Sequence, residues 1–289
     1  MTTDGVGRGP ASNRGASVSP RPGTRGAVAD GVRRIVALGR AEALLLRRNA
    51  VALLVALTTP AATMFMITSS SESGAVEGFD AAASAVTGLA AIALLAAVYY
   101  NLVTALVARR EELVLKRLRA GEASDSEIVI GTALPAVAVA WAQIVLGSVA
   151  AYALFGTAAP VNVLPALAAV VLGTAVFVLL AALSTVVTRS VEMAQVTTMP
   201  VLIVPLALCG LFFPLDDLPG PLEQVARMLP LTPVVDLMRL GLTGTTTDGR
   251  TVELAGSFGE AAGPVLVLVA WVALGGWAAR RWFQWEPRR

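Results

Sequence analysis

Apolar residues fall in long unbroken runs separated by short charged stretches. Between charges, Arg48 to Glu72 encloses 23 residues, Asp80 to Arg109 encloses 28, Glu192 to Asp216 encloses 23 and Glu260 to Arg280 encloses 19. These runs have almost no polar face. An α-helix rises about 1.5 Å per residue, so about 20 residues cross the hydrocarbon of a bilayer, and each run predicts one crossing. The interval from Glu127 to Arg189 holds 61 uncharged residues, too many for one helix. It divides at "FGTAAPVNVLP" (155–165), where Gly, two Pro and Asn mark a tight connection. The pattern therefore predicts an all-α polytopic membrane protein with six spans, near 49–69, 83–107, 128–154, 163–187, 194–213 and 262–280.

Composition agrees: 56% of residues are hydrophobic and 15% charged, with a mean hydropathy of +0.72. A soluble domain carries about 25% charged residues. Charge then sets the orientation. With the N-terminus inside, segments 1–48, 108–127, 188–195 and 280–289 hold 19 Lys and Arg, and the outer segments hold only Arg227, Arg239 and Arg250. That asymmetry predicts a multi-pass protein of the cytoplasmic membrane with both termini in the cytoplasm. Residues 1–27, rich in Gly, Ser, Pro and Arg, read as a disordered cytoplasmic tail before a transmembrane domain over 28–289. "VRRIVALGR" precedes the first apolar run by too much polar chain for a signal peptide, so a retained first span is expected. From Val32 to Leu46, apolar residues alternate with Arg33, Arg34 and Arg40. The pattern fits a helix lying on the inner leaflet with its arginines among anionic lipid headgroups, or a charged flank to the first span.

Much chemistry is excluded. The chain has no histidine and a single cysteine, Cys209, within the fifth apolar run. This removes His-based catalysis, His or Cys metal clusters and an internal disulfide, and leaves Cys209 as a small packing residue. The one lysine, Lys116, is followed by Arg117 without a glycine-rich lead-in, so no P-loop is present. The apolar runs contain no Asp, Glu, Lys or Arg, which disfavours a proton-coupled carrier. Asn101 and Gln143 are the larger polar side chains in the spans, suited to interhelical hydrogen bonds or to a pathway lining.

Charge concentrates instead between the second and third spans. Of 22 basic and 20 acidic residues, ten lie in "ARREELVLKRLRAGEASDSE" (108–127). Val107, Val114 and Leu118 share one helical face, with Arg109, Glu112, Lys116 and Arg119 around the rest. The second span is thus expected to continue into the cytoplasm as a helix stopped at Gly121, and Ser124 with Glu127 forms a capping box for the third span. A lipid anchor would be mostly basic. Mixed charge with a narrow apolar ridge suits a protein partner.

A second amphipathic region, "GLFFPLDDLPGPLEQVARMLPLTPVVDLMRLGLTG" (210–244), follows the fifth span. It reads as a turn and a nine-residue helix bearing Leu222, Val225 and Leu229. Pro230 ends that helix, and a second helix starts at Pro233 with Thr232 as its cap. Pieces too short to span, beside a span, suit a re-entrant hairpin on the outer side.

These two regions, in this order around six spans, resemble the permeases of ABC-2 type transporters, the membrane subunits of drug and polysaccharide exporters. The resemblance covers roughly residues 30–289. The "R-x-E…L-x-R-L-R" helix matches their coupling region, although the Gly-Thr of the frequent "E-R-E-x-G-T" is missing, which leaves subfamily and substrate open. It implies a permease subunit that pairs with an identical or related permease and two cytoplasmic ATPase subunits, which bind the ATP and Mg; no cofactor is expected in this chain. It implies that Arg109, Glu111, Glu112, Lys116, Arg117, Arg119 and Glu122 contact the ATPase, and that Phe213, Pro214, Leu229 and Pro230 belong to an outer gate. Spans two and five would line the path, with Pro200 and Pro205 bending the fifth span near it or serving packing alone. The apolar spans favour an amphipathic or lipid-like cargo. A membrane scaffold for another complex is the alternative from a different class, and a secondary transporter a further one. Abundant Arg and Ala with one Lys fits a GC-rich bacterial genome.

Overall fold

The computed structural model describes residues 79–112, 125–155, 159–212, 214–246 and 249–282, together with Thr58 and Ala62 singly. The expected tail, interfacial helix and first span at 49–69 lie outside the described residues. Helices α1 (Phe79–Ile92) and α2 (Asn101–Glu111) are joined without a break by a π-helical stretch, Ala93–Tyr100. Together they form the second span. Then come α3 (Asp125–Phe155), α4 (Val163–Ser184), α5 (Val191–Leu208), a 3-10 turn at Leu215–Asp217, α6 (Gly220–Met228), α7 (Thr232–Thr243) and α8 (Leu254–Trp282). The described residues thus hold five helices long and apolar enough to cross a membrane. Among them the only β feature is an isolated bridge between Thr245 and Thr251.

The second span is the centre of the bundle. Over its most apolar window 67% of it is buried, against 17% for α5 and for α8. Its run of Ala, Gly and Ser lets neighbouring helices approach closely. It packs between α3 and α4, with α7 against its α1 half, and α8 packs along α4. Tyr99 in the π-helical stretch shares a 2.9 Å hydrogen bond with Ser184 and meets the Phe177 ring edge-on, which fixes the span to α4.

Helix ends depart from expectation where side chains and backbone decide them. The fourth span stops at Ser184 rather than 187. Thr188 donates back to the Ser184 carbonyl, and β-branched Thr185, Val186 and Val187 take a turn. The fifth span stops at Leu208 rather than 213, just before Gly210 takes φ +80°. The described helix of the second span ends at Glu111 with Glu112 at ψ 1°, and the rest of the expected extension to Gly121 lies outside the described residues. The expected ridge residues Val114 and Leu118 and the capping residue Ser124 lie outside the described residues. Pro200 and Pro205 sit inside α5, which remains helical through both.

At one end of the bundle three elements converge. Asn162 caps α4 by accepting from the Leu164 N–H, and its side-chain amide donates 2.8 Å to Ser257 in the first turn of α8. Its own N–H donates to the Gly241 carbonyl of α7. Asn162 is therefore bonded to all three helices.

Candidate functional site

Two places answer to the two charged or amphipathic regions of the sequence. The first is the end of α2. Arg109 donates 2.6 Å to Thr132 on α3. Arg110 turns the other way and is buried; it donates 2.7 Å to the Thr185 carbonyl, to the Thr188 carbonyl and, at 3.5 Å, to the Arg189 carbonyl. Glu111 and Glu112 are exposed. Lys116, Arg117, Arg119 and Glu122 lie outside the described residues. Of the expected contact residues, then, Glu111 and Glu112 face outward, whereas Arg109 is engaged within the bundle. Arg110, which the sequence reading passed over, makes the most inward contacts. Neighbouring residues on a helix point about 100° apart, so the two arginines leave α2 in different directions, but which of them turns inward is set by the Thr185 and Thr188 carbonyls.

The second place is the hairpin of α6 and α7. Residues Gly220–Met228 form a helix of the expected nine residues, but Leu222 and Val225 are exposed, and Ala226 is its buried residue. The expected face is therefore uncovered in the single chain. Thr232 is the first residue of α7 rather than its cap; its hydroxyl donates 2.6 Å to the Ala226 carbonyl and so closes the turn back onto α6. Leu231 holds the cap position, without a side-chain bond to the N–H groups of α7. Pro230 is buried, Leu229 half-buried and Pro214 exposed, and Phe213 lies outside the described residues. Trp271 of α8 donates 2.9 Å to the Met228 carbonyl at the tip. Arg227 bridges Asp216 and Glu223, each at 2.9 Å.

The way α7 lies is set by two glycines. Gly241 abuts the backbone of Asn162 and Ala166, and Val234 lies against Gly173, so α7 runs antiparallel to α4. Eight of its twelve residues are buried, enough to make it an internal element rather than a surface loop. Arg239 donates 2.6 Å to the Gly210 carbonyl and borders a cavity of about 460 Å³ also lined by Ser84, Phe212, Asp216, Asp236 and Thr246. Elsewhere, Gln143 is buried in α3 and Asn101 is exposed at the start of α2. Cys209 is buried, with its thiol directed at the Leu206 carbonyl. Among the described residues no three His, Cys, Asp or Glu gather as a metal site.

Described residues that are almost wholly helical, with five crossing-length apolar helices and the buried short helix α7, make this a polytopic membrane protein. The model of the ABC-2 family transporter proteins matches residues 41–281, which is most of the chain, and the chain belongs to that family. It is a membrane permease component of an ABC transporter, and the family implies partnership with an ABC ATPase. No curated protein matches the sequence.

Proposed function

We propose that this chain is the permease subunit of an ABC exporter, moving an amphipathic or lipid-like substrate outward with ATP and Mg bound by a separate cytoplasmic ATPase. Two permeases, identical or related, enclose the path in this reading. The observation that carries it is the place of the charged island: it leaves the end of the most deeply packed of the described spans. A push there reaches α3 and α4 through the core rather than a single peripheral helix.

The hairpin fits the outer half of such a path. Along α8, Trp271 lies eleven residues from Glu260 and nine from Arg280. At about 1.5 Å per residue, that puts the Met228 carbonyl it binds about 16 Å from one charged end and about 14 Å from the other. A tip at mid-depth supports a re-entrant hairpin closing the path from outside, with Pro214, Leu229 and Pro230, and Phe213 beside them, as its gate residues. Backbone that enters a bilayer this way is tolerated only when buried in protein, as α7 is; the exposed α6 would be covered by the second permease.

Co-purification with the candidate ATPase, then ATP turnover in lipid discs, tests the reading. The wild-type chain is expected to form a stable complex with altered turnover. The Glu112→Lys and Lys116→Glu variants are expected to lose both in part. Unchanged assembly and turnover in these variants would remove the charged island as the coupling element. Absence of any complex with a cassette ATPase would favour the scaffold role.

A further inference from the structure

We propose that Arg110 is a positioning residue that carries motion from the charged inner segment of the second span into α5; this rests on the coupling role proposed above. Among the described residues, Arg110 is the one charged side chain that is buried. A long basic side chain near a span end ordinarily extends toward headgroups and water. This one folds into the protein and takes the carbonyls of Thr185 and Thr188 together. Those oxygens lie just past the C-terminus of α4, where a helix leaves unsatisfied carbonyls and partial negative charge. A planar guanidinium can hold two such oxygens in a fixed fork, which a lysine ammonium cannot.

The link continues beyond the turn. The Thr188 hydroxyl shares a 2.8 Å hydrogen bond with Thr197, one and a half turns into α5, and Ser190 caps that helix by accepting from the Met193 N–H. A short chain of bonds thus joins the end of α2 to the first turns of α5. That helix is little buried, and its principal contacts are with α2 and the π-helical stretch. Helix α8 is as little buried but packs along α4. Among the described residues α5 therefore makes its principal contacts with the second span itself, so a displacement of the end of α2 reaches it directly. Arg109, bonded to Thr132, draws on α3 from the other side. The doublet therefore divides one input between two neighbours, and Arg110 holds the branch that reaches α5.

The experiment uses the full permease–ATPase complex in lipid discs, with Cys209→Ala and a reporter cysteine at Val196, an exposed position on α5. Maleimide labelling rates are compared with and without vanadate-trapped nucleotide. In the otherwise wild-type chain trapping is expected to change the rate by roughly 5-fold or more, the lower end of ordinary coupling between sites. Arg110→Gln is expected to assemble and hydrolyse ATP while losing that change, and Arg110→Lys to restore part of it. A full response in assembled Arg110→Gln complex overturns the proposal. So does a fall in assembly with the response per complex unchanged, because that is a purely structural role. If Arg110→Gln does not assemble, Arg110→Lys decides: a response equal to wild type overturns the proposal, a partial one supports it. No response in the wild-type chain means the coupling role itself has failed, and this proposal falls with it.

Discussion

A Cβ added to Gly241 would lie 2.8 Å from the backbone nitrogen of Ala166 and 2.8 Å from the carbonyl oxygen of Asn162. Backbone cannot swing aside as a side chain can, so Gly241→Ala must push α7 off α4. Overpacking of this kind costs about 1–3 kcal/mol. At Gly173 the same Cβ meets the Leu94 and Val234 side chains at 2.9 Å, which can shift, so Gly173→Ala is expected to cost less. Gly259, with nothing within 4 Å on the exposed side of α8, is the control. There alanine is expected to gain up to about 0.5–1 kcal/mol by helix propensity. Asn162→Ala removes both the cap and the bond to Ser257 and is expected to cost about 0.5–2 kcal/mol. Asn162→Asp keeps the accepting oxygen and should fall between. Thermal unfolding of the purified chain in one detergent gives the order: Gly259→Ala highest, Gly241→Ala lowest. Equal stability of Gly241→Ala and Gly259→Ala would mean that α7 and α4 do not meet as described.

At the scale of elements, the hairpin tip makes a sharper test than its sequence allowed. Trp271→Phe keeps the aromatic body but removes the donor to the Met228 carbonyl. A single cysteine at Leu229, in a Cys209→Ala chain, is expected to resist a membrane-impermeant maleimide, and adding Trp271→Phe is expected to raise its labelling rate. Fast labelling in both would place the tip at the surface and end the re-entrant reading. Five of the six expected spans were legible because burial in lipid demands long uncharged runs, and charge is the plainest feature in a sequence; the first, at 49–69, lies outside the described residues. The hairpin's two helices were legible from proline and periodicity. Thr232 was misread because a threonine before proline at a helix start looks the same whether its hydroxyl turns to its own helix or back to Ala226. Arg110 was missed for a like reason. Which of two adjacent arginines turns inward depends on carbonyls 75 residues or more away. The π-helical stretch at Ala93–Tyr100 has no composition of its own that would mark it in the sequence.

For the molecule as a whole, the arrangement of bonds implies an orientation that can be checked at two exposed residues. The turn after α4 lies beside the end of α2, and basic residues crowd that end of the bundle: Arg109, Arg110 and Arg189, with Arg280 and Arg281 closing α8. The opposite end carries the bond between Asn162 and Ser257 and the pair of Arg250 with Glu260. Positive residues are retained on the cytoplasmic side, so the first end is expected to be the inner one. Ala159, before α4, and Val187, after it, are both exposed and lie at opposite ends of one helix. In right-side-out vesicles, with Cys209→Ala, Ala159→Cys is expected to react with an impermeant maleimide at once and Val187→Cys only after permeabilisation. The reverse pattern would invert α4 and put the charged island outside, away from ATP, and neither the coupling role nor the part proposed for Arg110 could survive it. Both positions labelled from outside would mean that α4 does not cross. The packing of α4 against the second span, α7 and α8 would then have to be formed without a bilayer around it, which its exposed Val163, Leu164, Leu167 and Val171 make costly.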